Sequence, residues 1–167
     1  LFPNTQAVSV WGGEDGGFDP ATGITSVPEY GKVFISIRNT TGQNLTDTEK
    51  TQLVTDLGKY KVASVTPVIV NAETTFVILG VTFQYDSNTT TKTVNDLETE
   101  VSTTISNYNS NNLQDFNKPF RHSQLTGLID DTDNSILSNV TTVTLGKFIT
   151  PVTSEATAYT LSFDNAF

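Results

Sequence analysis

The sequence predicts an α+β fold, an antiparallel sheet with two helices on one side, and three features predict it. The first is an uncharged, β-branched and aromatic stretch from Thr74 to Tyr85. The second is a pair of segments, behind Thr46 and behind Thr93, in which apolar residues recur every three or four positions after a capping threonine. The third is their alternation along 167 residues, a length that supports one good core.

Taken in chain order, Val8 and Val10 alternate with polar neighbours as in a short strand that ends at Trp11 and are read as its buried face, and the glycines and prolines that follow break regular structure. Tyr30 to Arg38 places Val33, Ile35 and Ile37 on one face, as a strand does. Thr46-Asp-Thr-Glu49 is a capping box, and Leu53, Leu57 and Tyr60 continue at helical spacing toward Gly58, Lys59 and Lys61. Val62 to Val70 reads as a strand, and Pro67 within it, unable to donate to a ladder, assigns it to an edge. Asn71-Ala72-Glu73 then turns the chain into a hairpin with the central strand.

That central strand carries Val77, Leu79, Val81, Phe83 and Tyr85 on one face, with Phe76 and Ile78 on the other, so it is expected inside the sheet. Burying the aliphatic and Phe side chains of the first face contributes roughly 6–12 kcal/mol as an upper bound. Thr93 caps a second helix through Val94, Leu97, Val101, Ile105 and Tyr108, with the run Asn107 to Asn112 expected to stop it. Ser123 to Asp131 gathers Leu125, Leu128 and Ile129 as a short helix; Val140 to Lys147 alternates as a strand; and Ala156 to Phe163, beyond Pro151, reads as a tail strand.

Strand, helix, strand, strand, helix, strand with right-handed crossovers is the split β-α-β, or ferredoxin-like, sandwich (βαββαβ). The expected organisation is a lead-in strand and loop over residues 1–28 arriving from a preceding domain, the ferredoxin-like domain over 29–148, and a C-terminal strand over 149–167 leading to a further domain. The uncovered face of such a sheet would carry Phe34, Phe76 and Ile78, more apolar than a solvated face needs. These residues, with Trp11 in the lead-in and Tyr159, Leu161 and Phe163 in the tail, are the candidate interface.

Composition narrows the function. The formal net charge is −9, which gives the counterion-release term of nucleic-acid binding the wrong sign and makes anionic membranes poor partners. No cysteine is present, so neither a disulfide nor a thiolate metal site can form. No apolar run has membrane length. Charged residues are only 16%, with Thr, Asn and Ser making up the difference, a composition that leans toward an extracellular particle or a β-rich structural protein. The absence of Met, even at position 1, leads us to expect a piece of a longer protein.

Candidate chemistry is sparse. His122 is the single histidine, next to Arg121, with no nucleophile or orienting carboxylate at a fixed spacing. Asp130, Asp131 and Asp133 offer oxygens for calcium, but the loop lacks the glycine of the sharp turn and has Thr142 where a bidentate Glu would stand, so capping of backbone amides accounts for it better. Gly12 to Gly17 is no phosphate loop, because Glu14 and Asp15 would repel the anion. The sequons at Asn39, Asn44, Asn88 and Asn139 are what an Asn- and Thr-rich chain produces by chance. Trp11 is read as a plug at the end of its strand rather than an exposed anchor. No catalytic residue, metal ligand or cofactor is expected. The alternative function is a small-ligand or metal-binding domain with a pocket lined by Arg121, His122 and Asp130 or Asp131.

A series of motifs carries a family resemblance. Val10-Trp11-Gly12-Gly13-Glu14-Asp15 and Tyr30-Gly31-Lys32-Val33-Phe34-Ile35-Ser36-Ile37 come first. Leu45-Thr46-Asp47 with Glu49-Lys50, Ser64-Val65-Thr66-Pro67 and Asn107-Tyr108-Asn109 follow. Phe120-Arg121, Ile129-Asp130-Asp131 and Ile136-Leu137-Ser138-Asn139-Val140-Thr141 complete it. In this order they resemble the baseplate wedge protein of T-even-type contractile-tailed phages, in the baseplate J-like group; the Gly16 to Val27 segment is longer than that pattern. The resemblance implies a structural virion protein of the tail baseplate that pairs with itself, contacts other wedge proteins and joins wedges into a ring around the tail tube. It implies neither catalysis, cofactor nor small-molecule substrate.

Overall fold

The computed structural model describes residues 4–15, 18–19, 24–25, 27–60, 64–72, 74–149, 158, 161 and 163. Its elements are β1 (Thr5–Gly12), a 3-10 turn (Gly13–Asp15), β2 (Phe18–Asp19), β3 (Ile24–Thr25), β4 (Lys32–Asn39), α1 (Asp47–Leu57), β5 (Thr66–Val70), β6 (Phe76–Tyr85), α2 (Val94–Asn112), α3 (His122–Asp130) and β7 (Ile136–Gly146). They form two compact units, one of the described residues up to Thr74 and from Lys147 onward, the other running from Thr75 to Gly146.

In the first unit β4 is the middle strand of β1-β4-β5, antiparallel to β1 and parallel to β5. Parallel neighbours need a crossover, and α1 supplies it. The helix starts where the capping box places it: Thr46 Oγ1 accepts from the Glu49 N–H (3.3 Å) and the Glu49 carboxylate accepts from the Thr46 N–H (2.8 Å). Leu53 is buried, and with Leu57 it packs on Ile35, Ile37, Leu45 and Ile69. Both strands flanking the crossover therefore lie under one helical stripe. Pro67 sits on the edge strand as expected, opposite Val33. Gly13 has no alternative at its position, because a Cβ there would collide with the carbonyl oxygen of Glu29. The small β2–β3 pair joins Phe18 to Thr25 and Asp19 to Ile24.

In the second unit β6 and β7 form a long antiparallel ribbon, in register from Phe76↔Gly146 to Gln84↔Ser138, with a bulge before Tyr85. Burial along β6 alternates residue by residue, Val77, Leu79, Val81, Phe83 and Tyr85 being partly covered and Phe76, Ile78, Gly80, Thr82 and Gln84 exposed. The covered face meets α2 and α3 in a core of Val101, Tyr108, Leu125, Ile129 and Ile136, flanked by Leu79, Val81, Phe83, Ile105, Leu113 and Phe120. Thr93 accepts from the Asp96 N–H (3.3 Å) while Asp96 accepts from the Thr93 N–H (2.9 Å), so α2 also opens with a reciprocal cap.

The α+β class stands, but the strand pairing is not ferredoxin-like. The segment 29–148 is divided between the two units, β5 does not form a hairpin with β6, and the central strand has a single ladder partner among the described residues instead of lying inside a sheet. The reason is that each apolar stripe already has a local cover: α1 holds β4 and β5 side by side, and α2 with α3 covers β6. At β1 the expected face is reversed. Val8 and Val10 are 51% and 59% exposed, while Ala7, Ser9 and Trp11 share the side of Arg38, Ser36 and Phe34. The Asn107–Asn112 run is helical to its last residue, and α2 ends there. Tyr108 is buried there and exchanges hydrogen bonds with the Arg121 backbone, and the Asn112 side chain donates to the Tyr108 carbonyl (3.0 Å). Gly58 follows α1 in a right-handed conformation, so its glycine freedom is not used. Lys61, Pro151 and all but Ala158, Leu161 and Phe163 of the expected tail strand lie outside the described residues.

Two substitutions check this packing by urea unfolding. Leu125→Ala, at a fully buried site, is expected to cost about 2–5 kcal/mol. Thr93→Ala is expected to cost about 1 kcal/mol, through the lost cap alone.

Candidate interaction surface

The sequence-predicted interface residues do not share one surface. Trp11 stacks on Phe34 at 5.9 Å and 20° within the first unit, and Phe34 is buried. The Trp11–Phe34 stack lies within one sheet, between paired positions of β1 and β4. Leu161 and Phe163 are exposed, with the Lys147 ammonium 5.3 Å from the Phe163 ring centroid. Tyr159 lies outside the described residues. Phe76 and Ile78 belong to the second unit, on the face of β6 turned away from α2 and α3.

That outer face continues across β7 through Val140, and Ile78 and Val140 are 57% and 68% exposed. Around them lie Gly80, Thr82, Thr142 and Thr144, so the surface is weakly polar and free of charge. Neither β6 nor β7 contains an acidic or basic side chain, in a chain whose net charge is −9.

Three hydrogen bonds fix which backbone groups of the ribbon face outward. The Asp86 N–H donates to the Ser135 carbonyl (2.9 Å), as the ladder requires beside a non-hydrogen-bonded Tyr85–Ile136 pair. The Gly80 carbonyl points to β7, where Thr142 Oγ1 donates to it (3.2 Å). The Thr141 carbonyl points away from β6 and accepts from His122 Nε2 (3.0 Å), which therefore carries the proton. The even-numbered residues of β6 from Ile78 to Thr82 thus bond to β7, while Val77, Leu79, Val81 and Phe83 turn their N–H and C=O groups to the free edge. The β7 edge is partly closed by His122 and by α3, to which Asn139 is tied through the Thr126 carbonyl (2.9 Å) and Asp130 (2.8 Å). No described strand lies along the β6 edge.

The acidic loop that could offer calcium ligands is otherwise engaged. Asp130 accepts from Asn139, and Asp133 accepts from Lys92 (2.6 Å) and from the Ser135 N–H (2.8 Å) and hydroxyl (2.6 Å). Among the described residues no group of three or more His, Cys, Asp or Glu side chains could hold a metal ion. The Arg121 backbone bonds the Tyr108 hydroxyl, and the His122 ring is engaged by the Thr141 carbonyl. The Lys92 bridge from Asp133 to Glu100 (2.7 Å) was not legible in the sequence, since Lys92 and Asp133 are 41 positions apart; only the spacing of Lys92 and Glu100 around the start of α2 hints at it.

Residues 1–70 match the family model of the baseplate structural protein gp6, C-terminal domain I, and residues 73–147 match that of gp6, C-terminal domain III. The junction between the two matches falls next to the division between the two units. The baseplate wedge protein gp6 of Enterobacteria phage T4 is 24% identical over 120 residues, 72% of this chain and 18% of that protein's length. These matches define a structural component of the phage tail baseplate in the virion. Within that class the chain belongs to the gp6 baseplate wedge family, as a segment spanning about a fifth of the T4 protein.

The loop bridge has a pH signature. Hydrogen bonds from Lys92 and then Ser135 hold the Asp133 carboxyl well below the usual carboxylate range. With the folded-state value depressed, its stabilisation is complete above the unfolded value of about 4 and is lost as pH falls through that range toward the folded value. Thermal melts between pH 7 and pH 3 are expected to show a falling midpoint, and Asp133→Asn a shallower fall than the unaltered chain.

Proposed function

We propose that this chain is a non-catalytic assembly module of a baseplate wedge, which self-associates and helps to link neighbouring wedges around the tail tube. Its other partners are further wedge proteins, and the reading assigns it no nucleic acid, membrane, cofactor or small-molecule substrate. The observation that carries it is the β6–β7 ribbon: an uncharged surface with Ile78 and Val140 exposed, in a chain of net charge −9. Two such chains repel each other wherever their carboxylates face, and contact is least opposed where there are none. Family membership supports the same reading, because a wedge component is built to meet other proteins.

Sedimentation equilibrium tests it. The average mass is expected to rise with protein concentration, and to rise further when salt is raised from low ionic strength, since screening removes the like-charge repulsion. A monomer mass at every concentration and salt would contradict the proposal.

A further inference from the structure

We infer that the free edge of β6 is the self-association site, pairing antiparallel with the β6 of a second copy of this chain to make a continuous four-stranded sheet. The inference rests on the self-association reading above and names its contact. Exposed strand edges in folded proteins are ordinarily blunted by a lysine, a proline, an inward charge or a covering element. Among the described residues the β6 edge has none of these from Val77 to Gln84; the irregularity in the ladder, where Leu137 of β7 is the extra residue, comes only beyond Gln84. Along that run Val77, Leu79, Val81 and Phe83 present N–H and C=O groups that no described residue engages.

The occupant is set by charge and by register. An acidic partner surface of the kind this chain presents elsewhere is excluded from close approach, whereas β6 meets another β6 with no charge on either side. The sequence is also self-complementary about Gly80. An antiparallel pairing centred there sets Val77 opposite the second copy's Phe83, and Leu79 opposite its Val81. Every outward-facing residue then meets an outward-facing residue, as an antiparallel ladder requires. The same register places Ile78 beside the second copy's Thr82 on the outer face and brings the two Gly80 positions together. There the backbones form a closely spaced, non-hydrogen-bonded pair that glycine leaves unobstructed. The arrangement is isologous, the commonest symmetry for a pair of identical chains.

Val81→Pro in the full chain is the test. Its N–H faces the free edge, so the ladder to β7 is kept, while the proline removes a donor and blocks a neighbouring strand. At a concentration where the unaltered chain is associated, Val81→Pro is expected to sediment as a monomer, and Val140→Asp, on the outer face of the far strand, is expected to stay associated. Amide exchange of the unaltered chain provides a second reading that needs no substitution. Val77, Leu79, Val81 and Phe83 are expected to gain protection as concentration rises, while Ile78, Gly80 and Thr82 stay protected throughout. Association that persists in Val81→Pro, or concentration-independent exchange at those four amides in an associated sample, overturns the edge pairing and leaves self-association standing. A chain that never associates overturns both.

Discussion

The second unit depends on one constraint: β6 has an apolar face that must be covered, and α2 and α3 cover it from one side only. Val77, Leu79, Val81 and Phe83 go to that side, where the last three pack against the cluster of Val101, Leu125 and Ile129. The period of two that satisfies the core fixes everything else about the strand. It turns Ile78 outward, and with the ladder to β7 it leaves the backbone groups of the core-facing residues at the free edge. The same residues thus hold the unit together through their side chains and present its open edge through their backbone.

The first unit solves the same problem differently. There the helix crosses between two strands that then lie side by side, so Ile35, Ile37 and Ile69 share the cover of Leu53 and Leu57. A structural protein gains from such local solutions, since each unit contains its own core and its surface is available for assembly. The side-chain hydrogen bonds of His122, Asp130 and Asp133 fit this picture, being spent on tying elements together.

Much of this was legible in the residues. Both helix starts follow from Thr46 and Thr93 with an acid three positions on, the alternation of β6 follows from its pattern, and Pro67 marks an edge strand. The motifs around Trp11, Tyr30 and Ile129 carried the family. Pairing was not legible, because the order of strands and helices is the same whether β5 joins β4 or β6; what decides it is how far the α1 stripe reaches, and that is a matter of three-dimensional packing. The exposure of Val8 and Val10 escaped for a similar reason, since alternation names two faces without saying which one is covered. Likewise Tyr108 overrode the helix-breaking look of its asparagine neighbours through a hydrogen bond to a residue 13 positions away. The free edge of β6 was visible only once β7 was known to be its one partner among the described strands.

The most direct measurement is a disulfide trap at the centre of the inferred pairing. The chain has no cysteine, so one introduced cysteine can bridge only to another molecule. Gly80→Cys needs Thr142→Ala beside it, because a Cβ at Gly80 would come 2.7 Å from Thr142 Oγ1. Closely spaced antiparallel pairs hold their Cα atoms about 4.5 Å apart, within disulfide reach. The account predicts rapid, near-complete dimer cross-linking of this double variant under mild oxidation, and little for Val140→Cys. Equal or slower linking at Gly80 than at Val140 would contradict it.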